Sequence, residues 1–263
     1  MSALTLFWDY VSSGDNWTGR TGIGHRLLEH IGFTMTALLA AGAVALPLGA
    51  VIGHSRRGAD VPILLGAAGR AVPALGLLAY LVLKMNNGDG SIIVVLALIA
   101  VPAMLSAAYG GVRRVNRHVV EAARAAGMQP SQVLLAVEVP AGLPTIVAGV
   151  RAAALQVVAA TTLAAFVGGG GLGRLIVDGL AEGQYGPMAT GAVLVAVVAL
   201  ALDLTLAGAE RSLVSPGLTG RYPVGPRRPN LDRYADDPRG TGLPAEPVAE
   251  PPHGPGADAS RQA

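Results

Sequence analysis

The sequence predicts an all-α, polytopic membrane protein with five transmembrane helices and a long helical loop between the third and the fourth. Three observations predict it. Hydrophobic residues make up 52% of the 263 and charged residues only 14%, where an average soluble domain is about 25% charged. The mean hydropathy is +0.51, and a chain of this length cannot enclose so much apolar surface in one soluble core. Five windows are long and apolar enough to cross a hydrocarbon layer, which takes roughly 20 helical residues for a thickness of about 30 Å.

The same composition excludes several classes. A net charge of +2 offers no basic field for nucleic acid. The chain has no cysteine, which removes disulfides, thiolate metal sites and thiol chemistry. The 36 glycines follow no three-residue period, so the chain is not collagen-like.

Residues 1–30 precede the first span. They carry Asp9, Asp15 and Glu29 and lack the continuous apolar stretch of a cleavable signal. Leu4, Leu6, Phe7, Trp8, Tyr10 and Val11 form a cluster too short to cross a bilayer. Trp and Tyr favour the lipid–water boundary, so this segment reads either as an extracytoplasmic, interfacial piece or as a loose tail. The first span, 31–53, has no charge. It includes Gly49 and Gly53, whose spacing permits close helix approach, although an Ala- and Gly-rich chain also produces that spacing by chance. The second span, 61–83, carries Arg70; the third, 91–112, is uncharged; the fourth, 143–167, carries Arg151; the fifth, 187–209, carries Asp203. Pro47, Pro73 and Pro102 fall inside windows, and membrane helices tolerate proline as a kink.

Orientation follows from Arg and Lys in the short loops. Arg56, Arg57, Arg113, Arg114, Arg117 and Arg124 lie on one side, against Lys84 and Arg174 on the other. That asymmetry puts the 113–142 loop in the cytoplasm, the N-terminus outside and the C-terminus inside. Residues 210–263 read as a disordered, Pro- and Gly-rich cytoplasmic tail. Residues 214–263 hold ten of the 18 prolines, balanced charges and no apolar period. Arg211, Arg221, Arg227 and Arg228 are placed to touch anionic membrane lipid.

Chemical motifs are informative by their absence. A nucleotide P-loop needs a lysine that reaches the phosphates, and the only lysine is Lys84, between Leu83 and Met85. The glycine run 168–171 has no such lysine and reads as a tight turn closing the fourth span, because glycine adopts positive φ. His25, His30, His54, His118 and His253 show no metal-binding spacing. No catalytic, cofactor-binding or metal-binding residue is nominated. Three ionisable residues, Arg70, Arg151 and Asp203, fall inside spans, where each costs about 2.5–3.5 kcal/mol at the bilayer centre on insertion scales. They are expected to face protein or a translocation pathway. Arg151 and Asp203 fall at similar depths, and they either pair or find separate partners.

The 113–142 loop is too long and too patterned for a plain connector. Residues 119–126 are rich in Ala, Glu and Arg and predict a helix, with Gly127 as its C-terminal cap. Pro130 opens a second helix that continues to Pro140. Val119, Ala123 and Ala126 share one side of the first helix, and Glu121 and Arg124 another. Such a helix suits docking to a partner or lying on lipid.

At these residues the sequence resembles a known family. Glu121-Ala122-Ala123, then Gly127, then Val137-Glu138-Val139-Pro140 is similar to the EAA loop of type I ABC importer permeases, with valine at two aliphatic positions. The resemblance covers about residues 27–209. Leu46-Pro47-Leu48-Gly49, Arg70-Ala71-Val72-Pro73-Ala74-Leu75 and the stretch 162–173 resemble the osmoprotectant subfamily, which imports glycine betaine, carnitine, choline and proline betaine. The segment 85–89 departs from that subfamily.

The resemblance implies a type I ABC importer permease fold over 31–209 in the cytoplasmic membrane of a prokaryote. It implies that Glu121, Ala122, Ala123, Gly127, Val139 and Pro140 form an ATPase-coupling loop. In that arrangement Glu121 meets a basic residue of a cytoplasmic ABC ATPase subunit, Ala122 and Ala123 allow close packing, and Gly127 makes the turn. A second permease subunit, identical or homologous, and an extracytoplasmic solute-binding protein are implied as partners, and no cofactor. Other readings are a permease for an amino acid such as methionine, an autonomous carrier or channel, and a membrane scaffold. Against the autonomous carrier stands Asp203 as the only acid in any predicted span.

Overall fold

A chain in lipid must close its backbone hydrogen bonds within each segment, and helices do so. Among the described residues every regular element is helical. The computed structural model describes residues 3–56, 58, 60–71, 73–85 and 88–213, apart from the side chains of residues 3, 4, 63, 68, 70 and 213. The proposed tail from residue 214 onward, with Arg221, Arg227 and Arg228, therefore lies outside the described residues.

In chain order the helices are α1 (Ala3–Ser12), α2 (Ile23–Ser55), α3 (Asp60–Ala71), α4 (Ala74–Met85) and α5 (Gly88–Arg113). They continue as α6 (Arg117–Ala125), α7 (Pro130–Val133), α8 (Val139–Ala164), α9 (Gly173–Glu182) and α10 (Tyr185–Leu213). Four stretches are long and apolar enough to cross a membrane: Ile23–Ser55, Gly88–Arg113, Pro130–Val167 and Tyr185–Ser212. The predicted second span is instead two 12-residue helices, α3 and α4, on either side of Pro73. Proline has no N–H to give and disfavours helix before it, so the chain stops at Ala71 and restarts at Ala74. Pro47 and Pro102, by contrast, lie inside continuous α2 and α5. The four long stretches and the broken α3–α4 pair make the all-α polytopic fold that the composition predicts.

Packing rests on small residues. On α2, every fourth residue from Ala37 through Ala41, Ala45 and Gly49 to Gly53 is Ala or Gly, and all five are buried. Side chains four apart lie one above another on a helix face, so this stripe lets α5 approach closely. A Cβ on Gly49 would lie 2.5 Å from the Leu105 carbonyl oxygen and 2.8 Å from the Ala108 Cβ. The Gly49–Gly53 spacing is therefore a real helix crossing and not an accident of composition. Around it Ala100, Val95, Leu96, Met104, Leu78 and Val157 form the principal core, drawn from α4, α5 and α8. A tighter crossing joins α5 to α8, where a Cβ on Gly142 would lie 2.6 Å from the Gly111 carbonyl carbon. The α3 helix leans on α5 as well, and Ser106 Oγ donates to the Pro62 carbonyl at 2.9 Å.

A second cluster forms at the opposite end, where Ile23, Leu172 and Leu175 bury against Leu27, Leu194 and Val198. There the short α9, unread in the sequence, packs along α10, and a Cβ on Gly191 would meet Ile176 Cγ1 at 2.7 Å. The N-terminal segment is a helix that packs on α10: the nearest atoms to a Cβ on Gly186 include the Leu6 carbonyl oxygen and Tyr10 Cβ, both at 3.6 Å. Its Trp8 remains 68% exposed, as an interfacial side chain would.

Candidate functional site

The 113–142 elbow begins where Asn116 caps α6, its side chain accepting from the His118 N–H at 2.9 Å. The helix ends in a Schellman motif. Met128 N–H donates to the Ala123 carbonyl and Gly127 N–H to the Arg124 carbonyl, with Gly127 at φ +85°. The sequence places Gly127 as this cap. Only glycine holds that backbone without strain.

The orientation of α6 leaves accessible the side that the sequence assigns to docking or to lipid. Val120 is the buried residue that pins the helix, while Val119 is 49% exposed. The Val119, Ala123 and Ala126 side is thus left open, with Ala122 and Ala126 exposed and Ala123 half-buried. Glu121 pairs with Arg117 one turn back, Nε donating to Oε1 at 2.7 Å, and not with Arg124. The hydrogen bond from Arg117 holds the Glu121 carboxyl below the usual carboxylate range, with His118 and Arg56 adding positive charge nearby. The elbow so presents an exposed carboxylate, fixed in direction, beside small apolar side chains.

The second arm also departs from expectation. Pro130 opens α7 within a capping box made by Gln129 and Gln132. The helix does not stop at Pro140. A π-helical turn, Leu134–Glu138, carries it onward, with the Val139 N–H reaching the Leu134 carbonyl. Pro140 then falls in the first turn of α8, where a missing N–H is harmless. Glu138, the last residue of the π turn, is 2% exposed. Its Oε2 lies 2.5 Å from His54 Nδ1, near the end of α2. Val139 is half-buried and Pro140 exposed.

About three turns into α8, counting 3.6 residues per turn, Arg151 reaches across to α10. Nε donates to Asp203 Oδ1 and Nη2 to Oδ2, each at 2.9 Å, a bidentate pair. Nη1 donates to Glu210 Oε2 at 3.1 Å. Glu210 belongs to the last turns of α10, which runs to Leu213, so residues 210–213 are helix and not the start of a tail. Asp203 and Glu210 lie seven apart, two turns along one face, and that spacing is the signal in the sequence for this third member. The Arg70 side chain lies outside the described residues.

Removing Arg151 leaves two carboxylates facing each other, whereas removing Asp203 leaves Arg151 with Glu210. Arg151→Leu is therefore expected to lower the yield of monodisperse, detergent-extracted protein more than Asp203→Leu does. Adding Asp203→Leu to Arg151→Leu should recover part of the loss. Equal yields for the two single variants would show that the network does not order these helices.

At the far end, the glycine run forms the turn expected of it, with Gly168 at φ +89° and Gly171 at φ +84°. The turn is filled by the protein's own carboxylate. Glu29 Oε2 accepts from the Gly171 N–H at 2.9 Å and from Arg26 Nη1 at 2.9 Å. A Cβ on Gly170 would lie 2.5 Å from Glu29 Oε2, so this carboxylate packs directly on the glycine run. Among the described residues no group of His, Asp and Glu could hold a metal ion.

An all-helical, multi-pass membrane protein that exposes a helical elbow between two of its crossings is the class these features define. The chain belongs to the family of binding-protein-dependent transport system inner membrane components, which matches residues 45–214. It is a permease subunit of a transport system. The choline transport system permease protein OpuBB of Bacillus subtilis (strain 168) is 34% identical over 194 residues, 74% of this chain and 89% of that protein. The glycine betaine/carnitine/choline transport system permease protein OpuCB of the same organism is 33% identical, covering 74% of this chain and 90% of that one. The carnitine transport permease protein OpuCD of Listeria monocytogenes serotype 1/2a (strain 10403S) is 32% identical, covering 85% and 98%. In structure the chain is similar to a chain of the inward-facing MetNI methionine ABC transporter, with a TM-score of 0.64 at 21% identity, over 73% of this chain and 96% of that one.

Proposed function

We propose that this permease carries a small quaternary-ammonium osmoprotectant, of the glycine betaine, choline, carnitine or proline betaine kind, inward across the cytoplasmic membrane. The work comes from a separate ATP-binding-cassette ATPase subunit. The observation that carries the reading is the elbow. Its carboxylate Glu121 is held outward by Arg117, Ala122 is exposed beside half-buried Ala123, and its Gly127 cap is fixed, so the surface is preformed for a rigid partner. In this reading the ATPase grips α6, and closure of the ATPase dimer rocks two permease subunits between inward-facing and outward-facing states.

The working parts follow the same division. Residues 31–209 form the translocating domain, the N-terminus lies outside and the C-terminus inside, and a binding protein delivers solute at the outer face. The names of the relatives support the solute class. The described aromatic residues support a binding protein as the selective element. Quaternary ammonium is held by cages of aromatic faces, and the predicted spans hold only Phe33, buried in the core, Tyr109, half-buried, and Tyr80 and Phe166, both exposed. The permease alone is expected to show no nanomolar-to-micromolar betaine binding by calorimetry, and such binding would move selection onto this chain.

The deciding experiment is reconstitution of the assembled complex in liposomes with a binding protein. ATP hydrolysis and uptake are expected to rise together with glycine betaine, choline or carnitine. Stimulation by methionine alone would favour the amino-acid reading, and uptake without any ATPase subunit would favour an autonomous carrier.

A further inference from the structure

We infer that His54 and Glu138 form the joint that transmits motion of the elbow to the first membrane helix, a positioning role that rests on the proposed ATPase coupling. A carboxylate buried to 2% exposure is expensive unless paired. Glu138 is the last residue of a π turn, Leu134–Glu138, and π turns are rare and concentrate at functional sites. The turn spends that irregularity on one contact, Glu138 Oε2 to His54 Nδ1 at 2.5 Å, a hydrogen bond that needs one proton between the two atoms.

The position of this contact gives it its role. The elbow is continuous with α8 through the backbone, so any tilt of α6 and α7 reaches α8 directly. Toward α2, His54–Glu138 is a hydrogen bond that ties the second arm to the helix end. His54 lies one residue beyond Gly53, the last member of the small-residue stripe that locks α2 onto α5. A displacement of Glu138 thus acts on α2 at the end of its rigid contact with α5, and α2, α5 and α8 move as one body. Apolar contacts alone are non-directional and would let the elbow slide.

The test uses the full complex in liposomes and reads solute imported per ATP hydrolysed, for whichever solute the wild type takes up. His54→Leu is expected to keep its ATPase subunits on co-purification and to hydrolyse ATP, but to import about tenfold less solute per ATP, within the usual range of coupling energies. His54→Gln, whose amide still donates to a carboxylate, is expected to retain most of the ratio. Glu138→Leu should resemble His54→Leu, and the double variant should be no worse than either single one. An unchanged ratio in His54→Leu, equal loss in the Leu and Gln variants, or loss of assembly in His54→Leu would each overturn the inference. A wild type that binds no ATPase subunit would instead overturn the proposed function.

Discussion

Replacing Glu121 by arginine is expected to lower ATP-driven uptake about a hundredfold, since like charges placed face to face cost several kcal/mol at an interface. The change should leave the amount of folded permease unaltered. Glu121 is an exposed side chain on α6, its bond to Arg117 joins two exposed groups, and such surface pairs contribute little to stability. The substitution turns an elbow that already carries Arg117, His118 and Arg124 into one with no acid on α6. A basic partner would then meet only positive charge. Glu121→Gln, which removes the charge but keeps the shape, should fall between the two. Because Arg117 holds the Glu121 carboxyl below the usual carboxylate range, its charge is present above that lowered value and is lost only as pH falls through it. Coupling should therefore survive mildly acidic medium. Uptake assays on membranes with matched permease content check this result, and wild-type uptake by Glu121→Arg would remove the elbow from the mechanism.

Much of this protein was legible in its sequence, and what escaped did so for physical reasons. Hydropathy windows found the apolar stretches because lipid demands them, but a window averages over breaks. It read 61–83 as one span although Pro73 divides it. It began the first span at residue 31 because Arg26 and Glu29 spoil the average, whereas α2 starts at Ile23 and those charges satisfy each other and the Gly171 N–H. The 10-residue α9 was missed because Arg174, Asp178 and Glu182 make it amphipathic and it is too short to span. The elbow was read correctly in its turn chemistry at Gly127 and Pro130, which act locally, while the Asn116 cap went unread. The burial of Val120 also went unread, because it is set by neighbours distant in sequence. The His54–Glu138 contact joins residues 84 apart and depends on a π turn that no periodicity of 3.6 can foresee.

Substituting leucine at Gly142 is expected to have the largest effect on stability. The α5–α8 crossing is a backbone contact: a Cβ on Gly142 would lie 2.7 Å from the Gly111 carbonyl oxygen and 3.1 Å from the Val112 nitrogen. Neither atom is the far end of a flexible side chain, so the helices themselves must separate. Overpacking of this kind costs about 1–3 kcal/mol and sometimes more. Separation here would also loosen the principal core, to which both helices contribute Leu96, Ala100, Met104, Ala153 and Val157. In a membrane no hydrophobic effect returns the helices to contact, because lipid tails are as apolar as leucine, and close packing is itself the driving force. Gly111→Leu should behave alike, since a Cβ there would meet the Gly142 carbonyl oxygen at 2.8 Å. Gly208→Ala supplies the control: nothing lies within 4 Å of its added Cβ, and alanine in a helix is favoured over glycine by about 1 kcal/mol. Thermal unfolding of the detergent-extracted protein is expected to show a sharp loss for Gly142→Leu and none for Gly208→Ala. Equal midpoints for all three proteins would mean that α5 and α8 do not meet at these glycines.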